Sequence, residues 1–301
     1  MTVHIACKEP VILLNKNVDQ LKTVRYIVRM NVTELDALKQ LLEVPAPTYH
    51  EKRMVRHIVG RVESLPGVRV WSDKHNNVYI IKGSDSKPLP CIAAHLDNVQ
   101  SMHRVKVVQH GDYLRGERNG LSAGFGADDK TGVHAALRLL ERFENIALVF
   151  FAMEETGHLG ASKADADFFA KIGYMIEFDA PSRHLVSYTS GGVRLFDNKG
   201  EFIQRAWPVL QAHGSVLWQH HPYSDVRGVR GRFPISCLNL SCGYYNWHMQ
   251  DEYIKISEVE MAVEQGEALV KALDSVRYTC PKHLPDDQPL CKIGRLSVPS
   301  P

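Results

Sequence analysis

The sequence predicts an α/β protein: a three-layer sandwich with a central mixed, mostly parallel sheet flanked by helices. Two observations carry this expectation. Short apolar runs of strand length alternate with longer stretches of helical periodicity, as in strands joined by helical crossovers. One run, Ala147–Ala152, is apolar at every position, as a strand covered on both faces must be.

Residues 1–32 read as a strand-and-helix prelude. A helix opens at Asn31-Val32-Thr33-Glu34, with Thr33 expected at the N-cap and apolar residues at 35, 38, 41 and 42 on one face. Val44-Pro45-Ala46-Pro47 ends it, because proline cannot continue the helical ladder. Glu51–Leu65 has the same period and stops at Pro66-Gly67. Strands are expected at Val68–Trp71, Val78–Ile81 and Cys91–Ala94. Val105–Val108 is strand-like and leads into a glycine-rich loop. Thr131–Phe143 is an amphipathic helix with Val133, Ala136, Leu137, Leu140 and Phe143 on one face. After the run at 147–152, Tyr174–Phe178 and Ile235–Leu240 read as strands and Met261–Leu273 as a helix.

The 301 residues would suit one large domain or two smaller ones. With no repeat and no low-complexity tract, one domain is expected: an extension at 1–32, a catalytic core at 33–278 and a proline-rich tail at 279–301. Apolar residues make up 44% and charged residues 23%, the balance of a globular protein, and the formal charge is only +2. Neither a nucleic-acid partner nor a membrane surface is expected from so small and scattered a basic excess. The longest apolar run, Ile146–Met153, has eight residues, against roughly 20 for a membrane helix. Val11-Ile12-Leu13-Leu14 is too short for a signal-peptide core and follows Glu9, so a cytoplasmic location is expected. Six cysteines contain no Cys-x-x-Cys pair, which argues for reduced, buried thiols rather than a thiolate zinc site.

Ligand-type residues recur at the ends of the expected strands. His95 and Asp97 follow Cys91–Ala94, Glu154 and Glu155 follow the long apolar run, Asp179 follows Tyr174–Phe178, and His248 lies beyond Ile235–Leu240. Asp128 stands at the mouth of the 131–143 helix. Sites in open α/β sheets gather at the carboxyl ends of strands, so these residues should converge. Each has an ordinary explanation alone: a chance His-x-Asp, a solvated glutamate pair, an acidic helix start. Glu154-Glu155 resists it, because charges at the tip of a buried strand need neutralising. Together the residues favour a metal site.

The motifs Ala94-His95-Leu96-Asp97, Gly126-Ala127-Asp128-Asp129-Lys130-Thr131-Gly132, Met153-Glu154-Glu155-Thr156-Gly157 and Glu177-Phe178-Asp179, with the late His248, resemble the co-catalytic dinuclear zinc exopeptidases. That superfamily includes peptidase T, the glutamyl and leucyl aminopeptidases, carboxypeptidase G2-like enzymes and related deacylases. Leu41-Leu42-Glu43-Val44-Pro45-Ala46-Pro47 is similar to its opening, and the resemblance spans roughly residues 34–275. It implies one metal on His95, Asp128 and Asp179 and a second on Asp128, Glu155 and His248, with Asp128 bridging. It implies Asp97 as a partner of the His95 ring and Glu154 as general base. Three ligand carboxylates against two divalent ions leave a residual positive charge that would activate a water between the metals. Zinc is the expected metal, with cobalt or manganese as alternatives.

Ligand spacings are 33 (95 to 128), 27 (128 to 155), 24 (155 to 179) and 69 (179 to 248). The last leaves no room for the lid domain of peptidase T-like enzymes, and the first none for the domain that glutamyl aminopeptidases insert. A lid-less form is therefore expected. Tyr223-Ser224-Asp225, Phe233-Pro234 and Ser241-Cys242-Gly243 continue the resemblance, while Asn246-Trp247-His248 departs from the family's wording. His213, His220 and His221 are the competing histidines. Arg227, Arg230 and Arg232 form a basic cluster in which one guanidinium would suit a substrate α-carboxylate. The expected activity is hydrolysis of a terminal peptide bond in a peptide or amino-acid amide, foremost as an aminopeptidase. The alternatives are an N-acyl-amino-acid deacylase, a carboxypeptidase or dipeptidase on the same core, and a non-catalytic metal-binding protein. A homo-oligomer would supply pocket walls to a lid-less domain.

Overall fold

The computed structural model describes residues 30–100, 102–218 and 224–281. Helices α1 (Val32–Leu42) and α2 (Lys52–Val62) precede strands β1 (Val68–Ser72), β2 (Val78–Lys82) and β3 (Leu89–His95). Strands β4 (Lys106–His110), β5 (Tyr113–Arg118) and β6 (Leu121–Ser122) come before helix α3 (Ala127–Arg142) and strand β7 (Ile146–Phe151). Short helices α4 (Leu159–Ser162) and α5 (Ala166–Phe169) lead to β8 (Ile172–Ala180), β9 (Leu185–Ser187), β10 (Thr189–Ser190) and β11 (Val193–Arg194). Helix α6 (Glu201–Ala212), β12 (Val216–Trp218), α7 (Asp225–Arg232), β13 (Cys237–Ser241), β14 (Tyr244–Tyr245), β15 (Tyr253–Lys255) and α8 (Ile256–Leu273) follow.

Eight strands form one sheet in the order β1-β2-β7-β3-β8-β13-β9-β12. Its central strands β7, β3, β8 and β13 run parallel, while β1 and β2 add antiparallel on one edge. Every residue of those four central strands is buried, which explains why they read as largely apolar runs, unbroken in β7. Adjacent residues of β8 show the layers on both faces. The Phe178 ring lies against Gly266 of α8, while the Glu177 carboxylate accepts the Val226 N–H of α7 at 3.3 Å. A Cβ on Gly132 would come within 2.2 Å of the Phe178 carbonyl, so α3 can sit this close to β8 only through glycine. The mixed, mostly parallel sandwich is the fold the sequence predicts.

Several elements differ from expectation. The first helix is capped by Asn31, not Thr33: the Asn31 side chain accepts from Glu34 N–H and the Glu34 carboxylate takes the Asn31 N–H, a reciprocal capping box. The strand-like stretch at Val105–Val108 is β4, but where a glycine-rich loop was expected after it, β5 and β6 pair with it in an antiparallel unit that continues through β15 to β14. Strand β5 carries charged residues on its exposed positions, so no apolar run marks it. The third helix begins at Ala127 rather than Thr131, although Asp128 and Asp129 keep non-helical backbone angles. The last begins at Ile256 rather than Met261. The prelude at 1–29 and the tail beyond 281 lie outside the described residues; Thr279 pairs with Ile235 and Cys280 is buried. Among the described residues, no helix is long and apolar enough to cross a membrane.

Candidate metal centre

Parallel pairing places the ends of β7, β3 and β8 side by side, with His95 opposite Phe151 and Ala93 opposite Glu177. The chain segments leaving those ends therefore carry His95, Glu154, Glu155 and Asp179 to one edge of the sheet. His95 ends β3 and is 1% exposed. Its Nε2 lies 3.1 Å from Asp128 Oδ1 and 3.6 Å from Asp179 Oδ1. The other oxygen of Asp128 lies 3.3 Å from His248 Nε2, which is 3.0 Å from Glu155 Oε1. Asp128 thus faces a different imidazole with each carboxylate oxygen.

Two sets of donor atoms cluster within 4.8 Å of one another: His95 with Asp128 and Glu155, and His95 with Asp129 and Asp179. Asp129 was not singled out from the sequence as more than a helix-start residue. It is fully buried, accepts the His95 backbone N–H at 3.1 Å and the Gly132 N–H at 3.1 Å, and so ties the end of β3 to α3.

Asp97 lies beside the His95 ring, but the nearer acceptor for His95 Nδ1 is the Asp97 carbonyl at 2.9 Å; the carboxylate is 3.7 Å away. The carboxylate instead accepts the backbone N–H groups of Glu154 at 2.9 Å and Glu155 at 3.3 Å, and the Thr48 hydroxyl at 2.9 Å. Asp97 therefore fixes the glutamate turn more directly than the imidazole. That turn begins at Met153, a non-glycine residue at φ 58°, and His248 has φ 65°. Both flank the cluster, where strained backbone concentrates.

Glu252 is a further residue that sequence reasoning missed. Its carboxylate accepts from Phe125 and Gly126 N–H at 2.8 Å each and from Asp128 N–H at 3.3 Å. It gathers the strand-to-helix turn that presents Asp128. The Glu252 signal was not recoverable locally, since its partners lie more than a hundred residues upstream. Tyr244 adds a hydroxyl 3.5 Å from Asp179 Oδ1.

The electrostatics follow from crowding of buried carboxylates. Burial pushes the Glu154 carboxyl well above its usual range, and Asp179, Glu155 and Asp128 add to this against the pull of His95. Burial also lifts Asp179 to about 7 and Glu177 to about 8. For Asp128, burial acts upward too, but hydrogen bonds from His248 and His95 overcome it and hold the carboxyl below its usual range. Asp225 at the start of α7 is fully buried with neither carboxylate oxygen hydrogen-bonded, in the field of Glu177 and Glu154. So much buried negative charge around two imidazoles is the environment a bound cation relieves.

Of the arginines in the basic cluster, Arg230 is buried and donates to the carbonyls of Arg194, Phe233, Cys280 and Pro281, while Arg232 donates to Ala164 O. Both are structural. Arg227 differs: its Nη1 lies 3.1 Å from His158 Nε2, on the segment after Glu154 and Glu155. His213 contacts Val209 O at the end of α6, away from the cluster, and His220, His221 and Tyr223 lie outside the described residues.

No family model matches the chain, and no curated protein matches it. Solved structures do. The aminopeptidase PepT of Bacillus cereus superposes with a TM-score of 0.69 at 15% identity, covering 80% of this chain and 98% of that one. A tripeptidase of Staphylococcus aureus gives 0.67 at 13% identity, over 80% of this chain and 97% of its own. The TET1 peptidase of Pyrococcus horikoshii gives 0.58 at 13% identity, over 78% and 98%. The chain has the fold of these peptidases. Within that peptidase fold, the stretch between Asp179 and His248 is occupied in its described part by β9 to β14, α6 and α7, and three of those strands belong to the main sheet.

Proposed function

We propose that the protein is a metal-dependent exopeptidase, foremost an aminopeptidase, built as a single catalytic domain. The observation that supports this most is Asp128, whose two oxygens face His95 and His248 separately, with Asp179 beside the first and Glu155 beside the second. The donor set of imidazole and carboxylate suits zinc, cobalt or manganese. In this reading His95, Asp128 and Asp179 hold one divalent ion, and Asp128, Glu155 and His248 the other. Bound there, the two ions supply Lewis-acid polarisation of the scissile carbonyl and make water acidic enough to attack at neutral pH.

The chain supplies the rest. Glu154, held at its backbone by Asp97, takes a proton from the attacking water and returns it to the leaving amine. Burial raises its affinity for that proton, which suits a group that must carry it between two steps. Retention of a base argues against a purely structural metal site. A second reading, a carboxypeptidase or N-acyl-amino-acid deacylase, is favoured by Arg227 at 3.1 Å from His158, a guanidinium near the glutamate turn. The TET1 peptidase can assemble into a tetrahedron or an octahedral shell, and a homo-oligomer of this chain is part of the proposal.

The test is hydrolysis of a matched set: free-amine aminoacyl amides, N-acetylated amino acids and unblocked dipeptides, with chelator-stripped protein resupplied with zinc, cobalt or manganese. Metal-dependent cleavage of the aminoacyl amides alone is the expected result. Cleavage confined to acetylated or carboxylate-bearing substrates transfers the reading to Arg227.

A further inference from the structure

Away from the metal centre, a cavity of about 740 Å³ opens where the end of α1, the first turns of α2 and the segment between β3 and β4 meet. Arg53, Arg56 and His57 line it from α2, at positions i, i+3 and i+4 and thus on one face of the helix. Arg104 enters from the segment after β3, and Gln40 of α1 and Glu43 just past its end close it. No residue of the metal centre contributes to this lining.

The charge in this cavity is unbalanced. Among the described residues, Arg53, Arg56 and Arg104 face no carboxylate at ion-pair distance, unlike Arg61, Arg69, Arg138, Arg142 and Arg205. Arg56 spends its Nε on the Lys52 carbonyl, which leaves its terminal nitrogens for a ligand. The one acidic residue, Glu43, already accepts the Val107 N–H at 2.9 Å. Burial first, then the neighbouring Arg61, lower the pKa of His57, so the ring adds no acceptor charge to the cavity.

Three guanidinium groups around one void exceed what a single carboxylate can satisfy. Guanidinium forks match phosphate oxygens two at a time, and the volume falls within the roughly 300–1,000 Å³ of small-molecule sites. We propose that this cavity binds a small molecule bearing two or more linked phosphate groups. The chemistry is shared by nucleoside polyphosphates and inorganic polyphosphate. The inference stands independently of the metal reading.

The experiment is calorimetric titration of the full-length, metal-loaded protein with tripolyphosphate. It uses wild type, an Arg53→Gln/Arg56→Gln double variant and a Glu155→Gln control that reports on phosphate bound at the metal centre. Both arginines are exposed, so circular dichroism should show the double variant folded. The expected result is saturable binding by wild type, a loss of about tenfold or more in the double variant, equivalent to ~1.4 kcal/mol, and unchanged affinity in Glu155→Gln. Adenosine triphosphate without magnesium, run in parallel, separates the sources: equal affinity assigns recognition to the phosphate chain, tighter affinity to a nucleotide. Equal binding by wild type and the double variant overturns the proposal. So does loss of binding in Glu155→Gln, or duplex DNA binding where tripolyphosphate does not.

Discussion

Asp128 faces His95 with one carboxylate oxygen and His248 with the other, and Glu154 stands beside them on a turn clamped by Asp97. His95, Asp97 and Glu154 were legible in the sequence because each follows a strand-length apolar run, whereas Asp128 was read at the start of a helix and His248 from its place beyond an expected strand. Asp129 and Glu252 were not legible. Their roles are to accept backbone N–H groups from distant segments, and no spacing announces such a contact. Replacing Glu154→Gln should leave metal content unchanged while lowering turnover by about 10²–10⁴-fold, the range for losing a general base. Metal analysis beside a rate assay checks it, and a near-native rate would remove Glu154 from that role. Glu252→Gln weakens the acceptor for three backbone donors and should destabilise the fold by about 1–3 kcal/mol. Urea unfolding would measure it.

At the scale of elements, the legible parts were the strands buried on both faces and the helices α1, α2, α3 and α8, whereas α4 to α7 were not expected. Of the antiparallel unit only β4 was legible, at Val105–Val108; β5 and β6 were hidden, because strands with a solvated face and many charges carry no continuous apolar run. The first helix shows how close two cap residues can lie: Asn31 wins over Thr33 because Glu34 stands at the position that completes a capping box. Contact between α3 and β8 depends on Gly132, where an added Cβ would stand 2.2 Å from the Phe178 carbonyl and 2.4 Å from Asp129 Oδ1. Gly132→Ala must therefore shift α3 or the Asp129 carboxylate. It should cost more than about 2 kcal/mol, as overpacking against backbone does, and lower metal affinity through displaced Asp128. Thermal unfolding and zinc titration together test this; a variant with native stability would show that the helix can retreat freely.

For the whole molecule, the fold joins a dense apolar core to an edge crowded with buried charge. His134 in α3 shows the cost of a buried base. Burial first, then Arg138 and Arg61, lower its pKa to about 3 from an ordinary 6.5, and neither ring nitrogen has a hydrogen-bond partner. Above pH 6.5 neither state is protonated there; between 6.5 and 3 only the unfolded chain takes the proton. Its contribution is therefore intact at neutral pH and lost as the pH falls through that window, by up to about 1.4 kcal/mol per pH unit. His134→Leu should flatten the acid side of the stability profile relative to wild type, as urea midpoints between pH 4 and 7 would reveal. Parallel acid profiles for the two proteins would contradict it.

In the proposed function, the converging imidazoles and carboxylates form a two-metal hydrolytic centre. Stepwise addition of zinc to chelator-stripped protein, with hydrolysis of an unblocked aminoacyl amide recorded at each step, tests it most directly. No turnover is expected without metal, and the rate should rise to a plateau at two equivalents. Metal-independent turnover, or saturation with fewer than two ions at full activity, would contradict it.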